Sequence, residues 1–205
     1  MIRGTRYPIA PGGIFWSLQG EGHLRGFPMG FIRLAGCSVG CPGCDTNYSV
    51  DTRADALEIL ERAHKAWPVN RDRWVWVTGG EPTDHDLQDL LGVLDAGGHR
   101  VALATSGCRE VIRPVDWLSV SPHDMEPLRQ PYGQELKLVD GLNGLDPEAW
   151  AQVYDREVDF FYRYVQPVTV AGKEDPESLA RCLDFIRRRP GWALSRQDHV
   201  AWGLA

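Results

Sequence analysis

The chain alternates short apolar runs with amphipathic stretches. Seven runs rich in β-branched and aromatic residues, each followed by Gly, Pro, Ser or Thr, predict β-strands. They are Met29–Ala35, Arg73–Thr78, Arg100–Thr105, Trp117–Ser121, Gln134–Val139, Phe160–Gln166 and Trp192–Ser195. The strands therefore extend over most of the chain.

Apolar residues at helical spacing predict four helices between these strands. The first, Thr52–Trp67, has a start that resembles a capping box at Thr52 and Asp55. The predicted apolar face of the first helix is Leu57, Leu60, His64 and Trp67. That of the second helix is Leu87, Leu90, Leu91 and Leu94, and that of the fourth is Leu179, Leu183 and Ile186. The third and fourth helices are predicted over Glu148–Tyr154 and Asp175–Arg189.

Strands that alternate with helices are typical of a parallel sheet, either doubly wound or curled into a barrel. The helices are few for a complete barrel, because Pro122–Gly133 contains three prolines and lacks a helical period. Only the brief Glu110–Arg113 segment separates the third and fourth strands. We therefore predict an α/β fold, an open partial (β/α) barrel with mostly parallel strands, and a single domain over residues 1–205.

Composition narrows the function classes. The 205 residues are 43% hydrophobic, and 22 Lys and Arg against 28 Asp and Glu give a formal net charge of -6. An acidic chain has no overall positive field for nucleic acids or anionic membranes, so we expect neither partner. Because no segment has the composition of a signal peptide or membrane span, we expect a cytoplasmic protein.

Chemically capable residues follow several predicted strands directly. Cys37, Glu81 and His123 each come just after a strand, where parallel α/β folds build their sites. Ordinary turns at strand ends would explain the neighbouring Gly and Pro residues but not these three side chains. The pattern therefore predicts a functional site at the carboxyl edge of the sheet.

Three of the five cysteines, Cys37, Cys41 and Cys44, lie within one short loop. In a reducing compartment such spacing favours metal ligation over disulfides. A structural zinc would need a fourth ligand, whereas a four-iron cluster held by three thiolates keeps one iron open. We interpret the remaining two, Cys108 and Cys182, as packing residues.

The Cys-x3-Cys-x2-Cys loop resembles the cluster motif of the radical S-adenosylmethionine superfamily. Thr78-Gly79-Gly80-Glu81-Pro82 is similar to the glycine-rich motif that lies against the methionine end of that cofactor. Two glycines let a backbone approach a ligand closely, and a carboxylate beside them suits an ammonium group. The resemblance implies a radical S-adenosylmethionine type of barrel and a [4Fe-4S] cluster.

The chain further resembles the 7-carboxy-7-deazaguanine synthase family. The segments that carry this resemblance are Phe15–Gly22, Phe31–Cys37, Cys44–Thr46, Ser121–His123, Glu135–Lys137, Gln166–Pro167 and Leu194–His199. It implies reductive cleavage of S-adenosylmethionine to a 5′-deoxyadenosyl radical, which abstracts hydrogen from C6 of 6-carboxy-5,6,7,8-tetrahydropterin. A magnesium-assisted rearrangement with loss of ammonia then gives 7-carboxy-7-deazaguanine, in queuosine and other 7-deazapurine biosynthesis.

The resemblance also implies roles for individual residues. Cluster ligands are Cys37, Cys41 and Cys44, and Thr46 would bind Mg²⁺. S-adenosylmethionine would contact Gly43, Cys44, Asp45, Gly79, Gly80, Glu81, Ser121, Pro122, His123 and Gln166. Substrate would contact Leu18, Gln19, Gly20, Arg33, Thr78, His199 and the terminal carboxylate of Ala205. The family pattern has a lysine where this chain has His123, and another where it has Val200. Both substitutions remove a positive charge, so the resemblance supports the nucleotide contacts near His123 least.

Residue-level reasoning supports part of this assignment. Alternation along Met29–Ala35 puts Arg33 on the face opposite Ile32 and Leu34, where a bidentate contact with the pterin carboxylate is one interpretation and an internal salt bridge the other. Thr46 would alternatively only cap its turn, and Leu18–Gly20 would be a plain polar turn. The chain's end at Ala205 would alternatively have no function.

Two competing functions remain open at this point. One is an activase that places a glycyl radical on a large partner protein, and the other is a noncatalytic zinc-binding or electron-carrying module. Leu18–Gly20 and Arg33 favour a small anionic substrate over the activase. The family resemblance also implies a homodimer and a reductant such as a flavodoxin or ferredoxin.

Overall fold

The computed structural model describes residues 5–42, 44, 46–67 and 73–204. Their contacts divide the chain into two compact units. Unit 1 takes in Met1–Ser17, Pro28–Thr105 and Glu110–Leu118, and unit 2 takes in Leu18–Phe27, Ser106–Arg109 and Ser119–Ala205. The single domain predicted from the sequence stays a prediction.

Unit 1 is built on strands in the order β5-β4-β2-β1-β3. The strands are β1 (Tyr7–Leu18, whose last residue belongs to unit 2), β2 (Pro28–Leu34), β3 (Thr52–Ala54), β4 (Arg73–Gly79) and β5 (His99–Thr105). β2, β4 and β5 are parallel neighbours, whereas β3 runs antiparallel to β1. Helices α1 (Ala56–Ala66) and α2 (Gln88–Ala96) pack on these strands, and a 3-10 helix covers Pro82–Asp84.

Unit 2 has strands in the order β11-β8-β7-β6, and each neighbouring pair is parallel. The strands are β6 (Trp117–Val120, of which Ser119 and Val120 belong to this unit), β7 (Tyr132–Asp140), β8 (Asp159–Pro167) and β11 (Trp192–Leu194). Strands β9 (Thr169–Val170) and β10 (Lys173–Glu174) form a separate antiparallel pair. The helices are α3 (Pro147–Tyr154), α4 (Pro176–Arg188), α5 (Asp198–Trp202) and a 3-10 turn at Leu142–Gly144.

The predicted α/β class, with mostly parallel strands and few helices, is confirmed. All seven predicted strands are present within one or two residues of their expected ends. The pattern missed β1, because Pro11-Gly12-Gly13 interrupts its apolar alternation, and it missed the short strands β3, β9 and β10 as well as α5. None of the helices among the described residues combines the length and apolar character required to cross a membrane.

The first helix begins later than predicted. Thr52–Ala54 pairs with β1 as a strand, so the helix starts at Ala56 behind the cap Asp55, whose carboxylate accepts the Glu58 N–H in a complete capping box. The predicted face was also wrong, because Leu57 is 63% exposed. The buried positions are Ala56, Ile59 and Ala63.

The apolar face predicted for α4 needs the same kind of correction. Leu183 is exposed, whereas Ser178, Cys182 and Phe185 are buried. Ser178 is drawn inward because its hydroxyl donates to the Asp140 carboxylate at 2.6 Å. The leucine stripe of α2, in contrast, is buried as predicted, with Leu90, Leu91 and Leu94 fully inside.

Candidate active site

The cysteine loop of unit 1 follows β2 directly. Cys37 and Cys41 are half-buried, Cys44 is exposed, and none of the three forms a disulfide. Gly40, at a φ of 63°, lets the chain turn back, and the Cys44 N–H donates to the Cys41 carbonyl at 3.3 Å. The loop thus offers three accessible thiols of the type that iron–sulfur clusters require.

Other predicted ligands lie near these thiols or outside the described part. Thr46 lines an open cavity of about 450 Å³ together with Cys41 and Cys44. Gly43 and Asp45, both predicted cofactor contacts, lie outside the described residues. Within the described residues, no three His, Cys, Asp or Glu side chains are grouped closely enough to hold one metal ion.

The glycine-rich segment after β4 is attached to the base of the cysteine loop. Gly80 donates its N–H to the Leu34 carbonyl at 2.9 Å, and Glu81 donates its N–H to the Gly36 carbonyl at 3.1 Å. A Cβ on Gly80 would overlap the Gly36 carbonyl and come within 3.0 Å of Cys37 Cβ. These glycines therefore permit close approach of two segments of this chain, whatever ligand they also contact.

Glu81 is 2% exposed and has structural partners of its own. Its Oε1 accepts hydrogen bonds from the Thr83 N–H at 3.0 Å, the Thr83 hydroxyl at 2.7 Å and the Thr105 hydroxyl at 2.6 Å. Because Thr105 ends β5 and Glu81 follows β4, this carboxylate links the carboxyl ends of two parallel strands. The structure thus brings Thr78–Glu81 and Cys37 to one edge of unit 1.

Arg33 is a further predicted site residue of unit 1. Ile32 and Leu34 are completely buried, as expected for one face of β2, while Arg33 is partly exposed. The Arg33 guanidinium lies 4.7 Å from the centre of the Phe15 ring. Phe15 in turn stacks on Phe31 at 5.1 Å, so a cation–π contact fixes where the arginine lies.

In unit 2 the predicted substrate residues Leu18–Gly20 open a loop that ends at Phe27. Gln19 is 6% exposed and its backbone pairs with both Gly26 and Phe27. The Gln19 Oε1 accepts the Glu21 N–H at 3.1 Å, which closes a tight local turn. Gly20 lies directly against the His199 ring, where a Cβ would overlap it, so these two predicted residues are in contact.

A buried ion pair that the sequence reasoning did not assign holds the same loop. Glu21 pairs with Lys137 of β7, and the other Glu21 carboxylate oxygen accepts from Gln197 Nε2 at 2.7 Å. Although burial alone raises a carboxyl pKa, the Lys137 ammonium and these hydrogen bonds keep the pKa of Glu21 below its usual value. The pair therefore attaches the loop to β7.

Glu135, two residues before Lys137 and so on the same face of β7, is 2% exposed. It accepts the His23 N–H at 2.7 Å and the Ser119 hydroxyl at 2.8 Å, and Gly22 packs directly on its carboxylate. Burial raises the pKa of Glu135 above its usual value despite the attraction of Lys137. Two charged residues alternating inside an apolar strand were the sequence signal for this network.

The remaining predicted contacts of unit 2 lie near strand ends. Gln166, 2% exposed at the end of β8, accepts the Ser195 hydroxyl at 2.7 Å, and the Ser195 oxygen also accepts the Gly22 N–H at 3.0 Å. The Ser121 hydroxyl donates to the Lys137 carbonyl at 2.9 Å, and the His123 carbonyl accepts from Asn143 Nδ2 at 3.0 Å. Pro122 is buried beside them.

The last predicted residues concern the chain's end and the two isolated cysteines. Ala205 lies outside the described residues. Cys182 is 1% exposed, and burial raises its pKa to about 12, which agrees with a packing residue. Cys108 is exposed on the loop after β5, so the packing interpretation of that residue was wrong.

Known proteins similar to this chain agree on one family. No protein-family model matches the chain. It is 34% identical over 205 residues to the 7-carboxy-7-deazaguanine synthase of Burkholderia multivorans, covering 91% of this chain and 94% of that protein. It is 33% identical over 207 residues to the 7-carboxy-7-deazaguanine synthase of Synechocystis sp., covering 97% and 93%.

A solved structure supports the same relationship. The crystal structure of QueE from Escherichia coli matches with a TM-score of 0.69 and 29% sequence identity, covering 94% of each chain. Sequence and fold thus agree over nearly the full length of both proteins. The resemblance seen in the motifs is confirmed: this enzyme belongs to the 7-carboxy-7-deazaguanine synthase family.

Proposed function

We propose that the chain converts 6-carboxy-5,6,7,8-tetrahydropterin to 7-carboxy-7-deazaguanine with loss of ammonia. The observation that carries this proposal is the 34% identity to a 7-carboxy-7-deazaguanine synthase over more than nine-tenths of both chains. The three-thiol loop and the glycine-rich segment attached to its base support the proposal.

Cys37, Cys41 and Cys44 would hold a [4Fe-4S] cluster, and the donor set fits because it supplies three accessible thiols on one loop, none of them in a disulfide. When bound, the cluster and S-adenosylmethionine supply the radical chemistry that starts the reaction. The residues proposed to bind S-adenosylmethionine are Gly43, Cys44, Asp45, Gly79, Gly80, Glu81, Ser121, Pro122, His123 and Gln166. Thr46, beside two of the cysteines, would contribute its hydroxyl to Mg²⁺.

Arg33 would bind the pterin carboxylate. Its guanidinium is already restricted by the Phe15 ring, so binding an anion costs it less side-chain freedom than a fully mobile arginine would lose. A planar guanidinium also offers two parallel N–H donors, which a carboxylate accepts in a fixed orientation. Thr78, at the end of neighbouring β4 and paired in register with Arg33, would lie next to the same group.

The other proposed substrate residues are Leu18, Gln19, Gly20, His199 and Ala205. Contact of Gly20 with the His199 ring, and the attachment of the loop to β7 through Glu21 and Lys137, would keep Gln19 in one orientation. A fixed loop of this kind orients a substrate without reorganisation on binding. We also propose a flavodoxin or ferredoxin as reductant, a homodimer, and a cytoplasmic location, where cysteines stay reduced.

The proposal is tested by anaerobic reconstitution with iron and sulfide. The protein is then incubated with reductant, S-adenosylmethionine, Mg²⁺ and the carboxy-tetrahydropterin, and products are identified by mass spectrometry. We expect a brown protein with about four iron and four sulfide per chain, 5′-deoxyadenosine, and 7-carboxy-7-deazaguanine. A colourless protein with one zinc, or cofactor cleavage without the deazaguanine product, would refute the proposal.

Cysteine variants provide the matched controls for this test. Ala at Cys37, Cys41 or Cys44 should abolish the stable cluster and all turnover. Cys108→Ala and Cys182→Ala should leave iron content and turnover nearly unchanged, because Cys108 is exposed on another loop and Cys182 is buried in α4. Loss of the cluster in the Cys108 variant would show that the ligand set is misassigned.

A further inference from the structure

One carboxylate outside the predicted site residues is attached to the cysteine loop. Asp84 ends the 3-10 helix Pro82–Asp84, just after the glycine-rich segment. Its Oδ2 accepts the Ser38 N–H at 2.6 Å and its Oδ1 accepts the Ser38 hydroxyl at 2.6 Å. Ser38 directly follows Cys37, so both oxygens of Asp84 are bound one residue beyond the first proposed cluster ligand.

The segment containing Asp84 also binds the residues before Cys37. Gly80 and Glu81 donate their N–H groups to the carbonyls of Leu34 and Gly36. The His85 ring donates from Nε2 to the Ala35 carbonyl at 3.0 Å. These contacts stop at Gly36. The Asp84 side chain extends the attachment past Cys37, so that the backbone is held on both sides of that cysteine.

The chemistry of this contact suits a positioning role. Hydrogen bonds to a carboxylate are shorter and about twice as strong as neutral ones, and two parallel bonds fix an orientation as well as a distance. Ser38 is exposed, so burial of its side chain does not explain the arrangement. Removing a residue that orients a metal ligand without binding the metal itself typically lowers metal affinity by roughly 10- to 100-fold.

We propose that Asp84 is a positioning residue that holds Cys37 in place for the cluster and slows cluster loss. The inference rests on the proposed function, because it requires Cys37 to be a cluster ligand. Asp84 acts through Ser38 and is itself neither a ligand nor a substrate contact. Its effect is therefore expected in how firmly the cluster is held.

The test measures cluster loss in the intact reconstituted protein. Wild type, Asp84→Ala, Asp84→Asn and Ser38→Ala are loaded with iron and sulfide, and bleaching of the cluster absorbance is followed after addition of an iron chelator. We expect Asp84→Ala to lose its cluster about tenfold faster than wild type. Asp84→Asn should lose its cluster more slowly than Asp84→Ala, because the asparagine oxygen accepts the Ser38 N–H and its amide donates to the Ser38 hydroxyl, although neither bond is charge-assisted.

Two further variants sharpen the interpretation. Ser38→Ala keeps the N–H bond and loses the hydroxyl bond, so its rate should lie between those of wild type and Asp84→Ala. Asp89→Ala removes an exposed carboxylate from the first turn of α2, and should bleach at the wild-type rate. Ser38→Ala carries the test alone if Asp84→Ala fails to fold, as judged by thermal unfolding before reconstitution.

Each result supports or overturns the inference. Equal bleaching rates in wild type and Asp84→Ala, or equally fast loss in Asp84→Asn and Asp84→Ala, would overturn it. If Asp84→Ala fails to fold, a wild-type rate in Ser38→Ala would overturn it as well. A wild-type protein that binds no iron and sulfide would remove the proposed function together with this inference. A wild-type protein that holds a cluster while Asp84→Ala holds it as firmly would leave the proposed function intact.

Discussion

Gly80 packs on the carbonyl oxygen of Gly36 so closely that a methyl group on Gly80 would overlap it. We therefore predict that Gly80→Ala separates the glycine-rich segment from the cysteine loop. The expected loss is about 1–3 kcal/mol in the free energy of unfolding, as for other overpacked sites, with lower iron uptake on reconstitution. Urea unfolding and iron analysis measure the two effects.

The matched control for this prediction is Gly30→Ala on β2. There an added Cβ would meet its nearest atom, a Val75 methyl, at 3.6 Å, which is an ordinary contact. We expect a change below about 1 kcal/mol and normal iron uptake. Similar losses in the two variants would show that the Gly80 contact has no special role.

The Glu21–Lys137 pair should contribute more than a surface ion pair. Its side chains are 18% and 12% exposed, so Lys137→Met leaves a nearly buried carboxylate without its cation. We expect a loss of about 3–5 kcal/mol in urea unfolding. The double variant with Glu21→Gln should recover part of this loss, because the uncompensated charge is then gone.

The control for the ion pair is Arg187→Ala, which breaks an exposed pair with Asp184 on α4. Water screens an exposed pair of this kind, so its contribution to stability is small and the unfolding curve should hardly move. A Lys137→Met loss as small as this control would mean that water screens the Glu21–Lys137 pair.

Arg33→Lys should weaken substrate binding although it keeps the charge. An ammonium group is a point charge that cannot make two parallel bonds to a carboxylate, and it stacks less well on Phe15. We expect the KM for the pterin to rise at least about tenfold, the equivalent of 1.4 kcal/mol, with unchanged S-adenosylmethionine binding. Equal losses for both ligands would indicate an internal salt bridge or a folding defect.

The buried His99 should make the folded protein less stable at acid pH. It is 5% exposed, and burial, the neighbouring His64 ring and Arg73 lower its pKa from 6.5 to about 4. Below pH 6.5 the unfolded chain binds a proton that the folded protein does not, so stability falls as pH decreases from 6.5 toward 4. His99 alone should make the protein about 2 kcal/mol less stable at pH 5 than at pH 7.

Urea unfolding at pH 5, 6 and 7 measures this effect. His99→Gln does not titrate in this range, so its stability should change less between pH 5 and pH 7 than that of wild type. If the stability of the two proteins depended on pH in the same way, the pKa of His99 would not be lowered in the folded state, which would contradict the prediction.

The strands were predictable because their signal is local. Each predicted apolar run is bounded by turn residues and is only four to seven residues long, and all seven predicted runs form strands. The buried faces of the helices were harder to predict. In α4 the buried positions include Ser178 and Cys182, which no hydrophobic pattern selects, because Ser178 is oriented by Asp140, 38 residues earlier in the sequence.

Some features of the candidate site could likewise be predicted from the sequence, whereas others could not. The three cysteines and the glycine pair were visible because each motif is continuous in sequence. The contacts that hold the two loops in place were not visible, since Asp84 binds Ser38 of the cysteine loop across 46 residues and Lys137 binds Glu21 of the Leu18–Phe27 loop across 116. No periodicity links such distant positions, and only the tertiary structure brings them into contact.

The membership of Leu18–Phe27 in unit 2 affects when this loop folds during protein synthesis. This loop leaves the ribosome early, yet the backbone of His23 finds its partner Glu135 only 112 residues later. Contacts between such distant positions form slowly, because a long loop must close before they stabilise anything. The proposed substrate loop therefore becomes attached to β7 late, after most of the chain has been translated.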